Sequence, residues 1–177
     1  KKSKKNINNK VYKKKQSLKL INIGRLVDQK DHMTLLKAIK LIHLKVNIEL
    51  LIIGRGENEN IIKNFIINNQ LKKSVKIINF KINPFPYMKL CDALVLSSKY
   101  EGLPNVLLEA LTLSKPIIST HCATGPKEIL LNGKGGLLFK VGDYKGLAKK
   151  ILFMKNNYKK CVIKTKYAES KLSRYDE

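Results

Sequence analysis

The sequence predicts an α/β fold, a Rossmann-like parallel sheet with helices on both faces, and three observations carry that expectation. Short apolar runs of strand length alternate with segments of helical period about six times, with short connections between them, the pattern of βα units. The runs are continuous rather than alternating, as expected of strands covered on both sides. Glycine turns follow several of them, at Gly24, Gly54 and Gly102, so the chain tightens where strands hand over to helices. At 177 residues the chain is long enough for one domain with a proper core.

Taken in order, residues 1–17 carry many lysines and no acid, a basic linker or tail, and residues 18–177 form the domain. Leu20–Leu26 reads as a strand ending in a glycine turn. Asp28–His32 follows, with His32 as a helix-start residue, and Leu35, Leu36, Ile39 and Ile42 then recur at helical spacing. Leu51–Ile53 is a second strand with the turn Gly54-Arg55-Gly56, and Val75–Phe80 a third, followed by a loop through Lys81 and Ile82 and a short helix. Ala93–Leu96 and Pro116–Thr120 are the fourth and fifth. Gly125-Pro126 opens another helix, Gly135–Phe139 gives a small extra strand, and Leu147, Ala148, Ile151 and Leu152 continue as a helix. Sheets of this kind bind ligands at the carboxyl ends of their strands.

The richest stretch is Ser97-Ser98-Lys99-Tyr100-Glu101-Gly102-Leu103-Pro104-Asn105-Val106-Leu107-Leu108-Glu109, a strand end leading into a helix with a carboxylate on either side. Pro104 suits the first helical position, Gly102 lets backbone approach a ligand, and the amides of the first turn point at an anion. Because Val106–Leu113 is almost wholly apolar, this helix is expected to be buried nearly all round, Glu109 with it.

This stretch resembles the donor-binding motif of the family 4 (group 1) retaining glycosyltransferases, two-domain enzymes of the GT-B fold. The resemblance extends to Gly24-Arg25-Leu26 with Lys30, and to the turn around Gly54. It implies the carboxy-terminal, nucleotide-sugar-binding domain, with Glu101 catalytic and beside the sugar ring and Glu109 on the ribose hydroxyls. The backbone of Gly102, Leu103 and Asn105 would meet the pyrophosphate, Arg25 and Lys30 would pair with it, and Lys81 and Ile82 would read the base. Arginine is rare in this lysine-rich chain, so Arg25 hints that a bidentate fork is wanted; Arg55 is assigned no ligand. The Gly125-Pro126-Lys127-Glu128-Ile129 turn leans toward members that build surface polysaccharides and lipid-linked oligosaccharides.

The implied activity is retaining transfer of a hexosyl or N-acetylhexosaminyl unit from a UDP-linked donor to a surface-glycan or lipid-linked acceptor. No cofactor or metal is expected. The implied partners are the donor, the acceptor, an amino-terminal acceptor domain in cis or in trans, and an anionic membrane surface. The resemblance describes half an enzyme, trimmed or split, expected to be inactive without that first domain. A non-catalytic remnant or regulatory module is the rival from another class, and an epimerase or phosphorylase the rival within the fold. The formal charge of +23 admits nucleic-acid binding, but abundant Asn and Ile beside the lysines indicate compositional bias, and the aromatic and basic interleaving of single-strand binders is missing. Cys91, Cys122 and Cys161 are odd in number and without metal-ligand spacing, which reads as a reducing cytoplasm. The expected location is the cytoplasm, peripheral on the inner face of the membrane. No run reaches transmembrane length.

Overall fold

A computed structural model of the chain describes Tyr12, residues 16–122 and residues 124–175. Most of the basic segment 1–17 therefore lies outside the described residues. Six strands form one parallel sheet: β1 (Leu18–Ile23), β2 (Ile48–Ile53), β3 (Val75–Ile78), β4 (Ala93–Leu96), β5 (Ile117–Thr120) and β6 (Leu137–Phe139). Their spatial order is β3-β2-β1-β4-β5-β6, so the winding reverses between β1 and β4. That is the doubly wound order, and its reversal point is where such sheets open a crevice.

The helices are α1 (His32–Ile42), α2 (Glu59–Asn68), α3 (Phe85–Met88), α4 (Asn105–Thr112), α5 (Pro126–Ile129), α6 (Tyr144–Asn156) and α7 (Tyr158–Glu169). They cover both faces, as the alternation of strand side chains requires. Leu20, Leu50, Ile52, Ala93 and Val95 face one apolar layer, completed by Leu35 and Ile39 of α1, Ile62 of α2 and Leu147 and Ile151 of α6. Ile21, Leu51, Ile53, Leu94 and Leu96 face the other, with Met88, Leu107, Ala110, Leu111 and Ile129. Two helix starts are capped by side chains: Asp31 accepts from the Thr34 amide (3.1 Å), and Asp143 from the Gly146 amide (2.8 Å).

Several boundaries differ from the sequence reading. β1 begins at Leu18 and stops at Ile23, because beyond it the chain leaves the sheet: the Leu26 amide donates to the Arg55 carbonyl (2.9 Å) and the Leu26 carbonyl accepts from the Asn58 amide (2.9 Å). β2 starts earlier, at Ile48, and β3 ends at Ile78, where Asn79 bends back so that its Oδ1 accepts from the Phe80 amide (2.7 Å). Pro104 is the N-cap of α4, with extended backbone (ψ 92°), and the first helical residue is Asn105. The expectation that α4 is buried nearly all round also fails. Leu107, Ala110 and Leu111 pack into the core, whereas Val106 and Leu108, at its margin, and Glu109 are only half-buried.

The strand-end glycines mark close approaches of backbone. A Cβ on Gly54 would sit 1.9 Å from the Gly24 carbonyl oxygen, so the loops after β1 and β2 touch through it. Gly102 has open space where a Cβ would go. Gly54→Ala is expected to cost about 2–4 kcal/mol in urea unfolding, because both loops must move apart. Gly102→Ala should stay within about 0.5 kcal/mol of the parent. Equal stability of the two variants would show that the β1–β2 contact is not tight.

Candidate donor-binding site

The crevice at the winding reversal is built by the strands themselves. β1 pairs with β2 along its whole length, but with β4 only at Leu20 and Ile21, so the two central strands part toward their carboxyl ends. Asn22 stands in the fork. Its Nδ2 donates to the Val95 carbonyl (2.9 Å), replacing a ladder bond, while its buried Oδ1 has no partner among the described residues.

Across this fork the loop after β1 is stitched to the loop after β4. The Lys30 ammonium lies 2.6 Å from Glu101 Oε1, and Ser98 Oγ donates to the same oxygen at 2.5 Å. Backbone contacts reinforce the pairing: the Lys99 amide donates to the Gln29 carbonyl (2.8 Å), Gln29 Nε2 to the Tyr100 carbonyl (2.9 Å) and Ser97 Oγ to the Lys30 carbonyl (2.9 Å). On the rim, Lys99 pairs with Asp28 at 2.7 Å. The Lys30 and Glu101 side chains are 17% and 7% exposed, so the ion pair is largely withdrawn from water and its geometry is held by its neighbours.

The loop after β5 closes the arrangement from the other side. Thr124 Oγ1 donates to the Glu101 carbonyl (2.6 Å), and Thr120 Oγ1 to the Ser98 carbonyl (2.8 Å). Gly125, at φ 73°, lies so close to the Gly102 carbonyl that a Cβ would come within 2.1 Å of its oxygen. The Glu101 and Gly102 carbonyls are therefore fixed from behind. The amides of Gly102, Leu103 and Asn105 have no backbone or side-chain acceptor among the described residues. An anion set before the α4 amino terminus would find these donors available.

Arg25 is exposed and unpaired among the described residues, and it shares a cleft of about 460 Å³ with Lys30, Gly24, Gly54, Arg55 and Phe80. The Arg55 guanidinium lies 5.7 Å from the centre of the Phe80 ring. Arg55, to which the sequence reading assigned no ligand, stands in the same cleft as Arg25 and Lys30. Lys81 and Ile82 follow in the next loop, Ile82 being 94% exposed, and neither forms a wall of this cleft.

Glu109 projects from the half-buried side of α4, with no partner for its carboxylate among the described residues. Burial raises its pKa above the ordinary glutamate value. His32 opens α1, and its ring is buried with both nitrogens unpartnered among the described residues. Its pKa falls to about 4, first through burial and then through the charge of Lys30, so the ring is neutral near pH 7. Cys122 is a buried thiol whose pKa is raised mainly by that burial, which argues against a nucleophile. Among the described residues no group of three or more His, Cys, Asp or Glu side chains could hold a metal ion.

Ser98, Thr124 and Gly125 are the supporting residues that sequence reasoning missed. Adjacent serines at the end of an apolar strand were the available signal for Ser98. Nothing local in the sequence announces that Thr124 reaches Glu101, because the contact joins two loops separated by a helix and a strand.

A family model described as glycosyl transferases group 1 matches residues 3–171. An uncharacterized glycosyltransferase of Methanocaldococcus jannaschii is 43% identical over 117 residues, spanning 66% of this chain and 29% of that protein. The N-acetylgalactosamine-N,N'-diacetylbacillosaminyl-diphospho-undecaprenol 4-alpha-N-acetylgalactosaminyltransferase of Campylobacter jejuni is 31% identical over 124 residues, covering 70% of this chain and 33% of that protein. The chain thus spans about a third of the length of these curated relatives. Among solved structures, Anabaena HepE in complex with UDP-glucose superposes with a TM-score of 0.86 at 20% identity, over 98% of this chain and 48% of that one. Staphylococcus aureus TarM superposes with a TM-score of 0.80 at 23% identity, over 90% of this chain and 32% of that one. These superpositions give the same doubly wound fold, and with the family match over nearly the whole sequence they make this chain a member of the group 1 glycosyl transferases.

Proposed function

We propose that the chain is the donor-binding domain of a retaining glycosyltransferase that moves a hexosyl or N-acetylhexosaminyl unit from a UDP-sugar to a surface-glycan or lipid-linked acceptor. The observation that carries the reading is the Lys30–Glu101 pair, set beside the unpaired Arg25 and the open amides of Gly102, Leu103 and Asn105. One negative group fits among these donors, and a diphosphate offers two charges to share between them. A capsular polysaccharide glycosyltransferase of Staphylococcus aureus, 33% identical over 134 residues, and the Campylobacter jejuni enzyme that acts on a diphospho-undecaprenol acceptor support the acceptor class.

In this reading the sugar leaves its diphosphate on the face from which the acceptor arrives. Arg25, Lys30 and the α4 amides neutralise the charge that grows on the leaving phosphate, donors fixed in place before the bond breaks. Glu101 uses Oε1 to hold Lys30 and Ser98, which leaves Oε2 to orient a sugar hydroxyl. Glu109 takes the ribose hydroxyls, and the base lies toward the loop after β3, against the backbone of Lys81 and Ile82 or the Arg55–Phe80 pair. Transfer requires an acceptor surface from an amino-terminal domain, because positioning two reactants is worth up to about 7–11 kcal/mol of barrier. The working location is the cytoplasmic side of a membrane.

Calorimetry with UDP in the presence of chelator tests the phosphate site. Arg25→Ala should weaken UDP by about 1.5–3 kcal/mol with the melting temperature unchanged, since the side chain is exposed. Lys30→Ala should weaken UDP to the same degree and also lower stability, because Glu101 is left buried without its ion partner. Unchanged UDP affinity in both variants would move the phosphate site elsewhere, and binding that appears only with added magnesium would overturn the metal-free reading.

A second test uses the raised pKa of Glu109. Ribose hydroxyls donate more strongly to the carboxylate than to a protonated acid, so UDP affinity should fall on acidification at a pH above the ordinary glutamate range. Glu109→Gln should bind UDP more weakly at neutral pH and lose that step, while 2′,3′-dideoxy-UDP should show no step with either protein. Glu101→Gln should spare UDP and weaken the intact UDP-sugar. A Glu109→Gln protein with the parent's affinity and pH profile would remove Glu109 from the ribose site.

A further inference from the structure

The amino ends of the strands, at the pole opposite the donor crevice, carry a surface that the donor reading does not use. The turn between α1 and β2 exposes Leu44 to 88%, and the carboxyl end of α2 exposes Ile67 to 50%. These two side chains share a groove with Lys72 and Lys73. An adjoining groove shares Ile67 and Lys72 and runs to Ile77 on β3, the edge strand of the sheet. No aspartate or glutamate lines either groove, and Lys72 and Lys73 have no ion-pair partner among the described residues.

Leu44, in a turn, presents nearly its whole aliphatic side chain to water. Beside it Ile67 is also wet; Lys72 and Lys73 rim both without an ion partner among the described residues, while Lys63 on the adjoining groove is paired with Glu59 at 2.6 Å. Lysine stems can lie along such apolar surface while their ammonium groups reach outward to phosphate. A protein partner of ordinary composition would have to bring acids to match this rim. A bilayer rich in anionic lipid supplies apolar depth and negative charge in one surface.

We propose that this pole docks on an anionic bilayer, with Leu44 and Ile67 entering the boundary between headgroups and acyl chains and Lys72 and Lys73 on the lipid phosphates. The contact lies at the amino ends of β2 and β3, so the donor crevice at the carboxyl ends stays open to solvent. The inference does not depend on the donor: a chain that bound no nucleotide could dock in the same way.

Co-sedimentation with vesicles of phosphatidylcholine containing about 30% phosphatidylglycerol, against pure phosphatidylcholine, is the test. The parent should partition onto the anionic vesicles and not onto the neutral ones. Leu44→Ser with Ile67→Ser, at unchanged net charge, should reduce partitioning by about tenfold, and Lys72→Ser with Lys73→Ser by a similar factor. Lys159→Ser with Lys160→Ser, an equal loss of charge on the exposed side of α7, should stay within about twofold of the parent. All six positions tested in pairs are exposed, and thermal melts run alongside should match the parent. Equal losses from the Lys72/Lys73 and Lys159/Lys160 pairs would show a diffuse charge effect and overturn the proposal. So would unaltered partitioning of the Leu44/Ile67 variant, or self-association of the parent that this variant abolishes.

Discussion

Glu101 and Lys30 meet across the point where the sheet reverses its winding, and the site depends on that meeting. The loops that carry them leave β1 and β4, strands that pair for two residues and then separate. A crevice opened in this way exposes backbone and would spread without something to hold it. The ion pair at 2.6 Å supplies that hold at the side-chain level, and the Gln29, Lys99 and Ser97 hydrogen bonds supply it at the backbone. Loss of either charge leaves the other largely buried, so breaking the pair costs more than the intact pair contributes, as is usual for ions withdrawn from water.

Everything behind the pair serves to aim it. Ser98 shares the same carboxylate oxygen, Thr124 fixes the Glu101 carbonyl, and Gly125 presses against the Gly102 carbonyl. With the carbonyls turned back into the protein, the amides at the head of α4 are turned outward. A rigid sheet below and three loops locked to one another give donors that need no rearrangement to meet an anion. Arg25 and Arg55 stand outside this locked set, the first without a partner among the described residues and the second resting on Phe80.

The strands were legible because buried parallel strands are written as unbroken apolar runs, and Ala93–Leu96 came out residue for residue. The placing of Arg25 and Lys30 after the first strand and of Glu101 after the fourth was legible because the residues follow apolar runs within single loops, whereas the contact of Lys30 with Glu101 was not. Less was visible where physics acts between distant segments. β1 ends at Ile23 because the chain turns to bond the loop after β2, a contact that the run Leu20–Leu26 does not encode. Apolar composition suggested a helix buried all round, but α4 buries only Leu107, Ala110 and Leu111, which leaves Glu109 half-buried. Pro104 fitted the first helical position equally well as the cap, since neither place needs its missing amide. Asn22, a polar residue inside an apolar strand, was a readable sign of the fork that sequence reasoning passed over.

The Lys30–Glu101 pair acts as a unit, and a double-mutant cycle in urea measures it: Lys30→Met, Glu101→Gln and the two together. Each single change should destabilise the fold, and the double variant should recover part of the loss, with a coupling of about 1–3 kcal/mol. Single effects that add to within about 0.5 kcal/mol would mean that the two groups do not sense each other, and the crevice would then be held by something else.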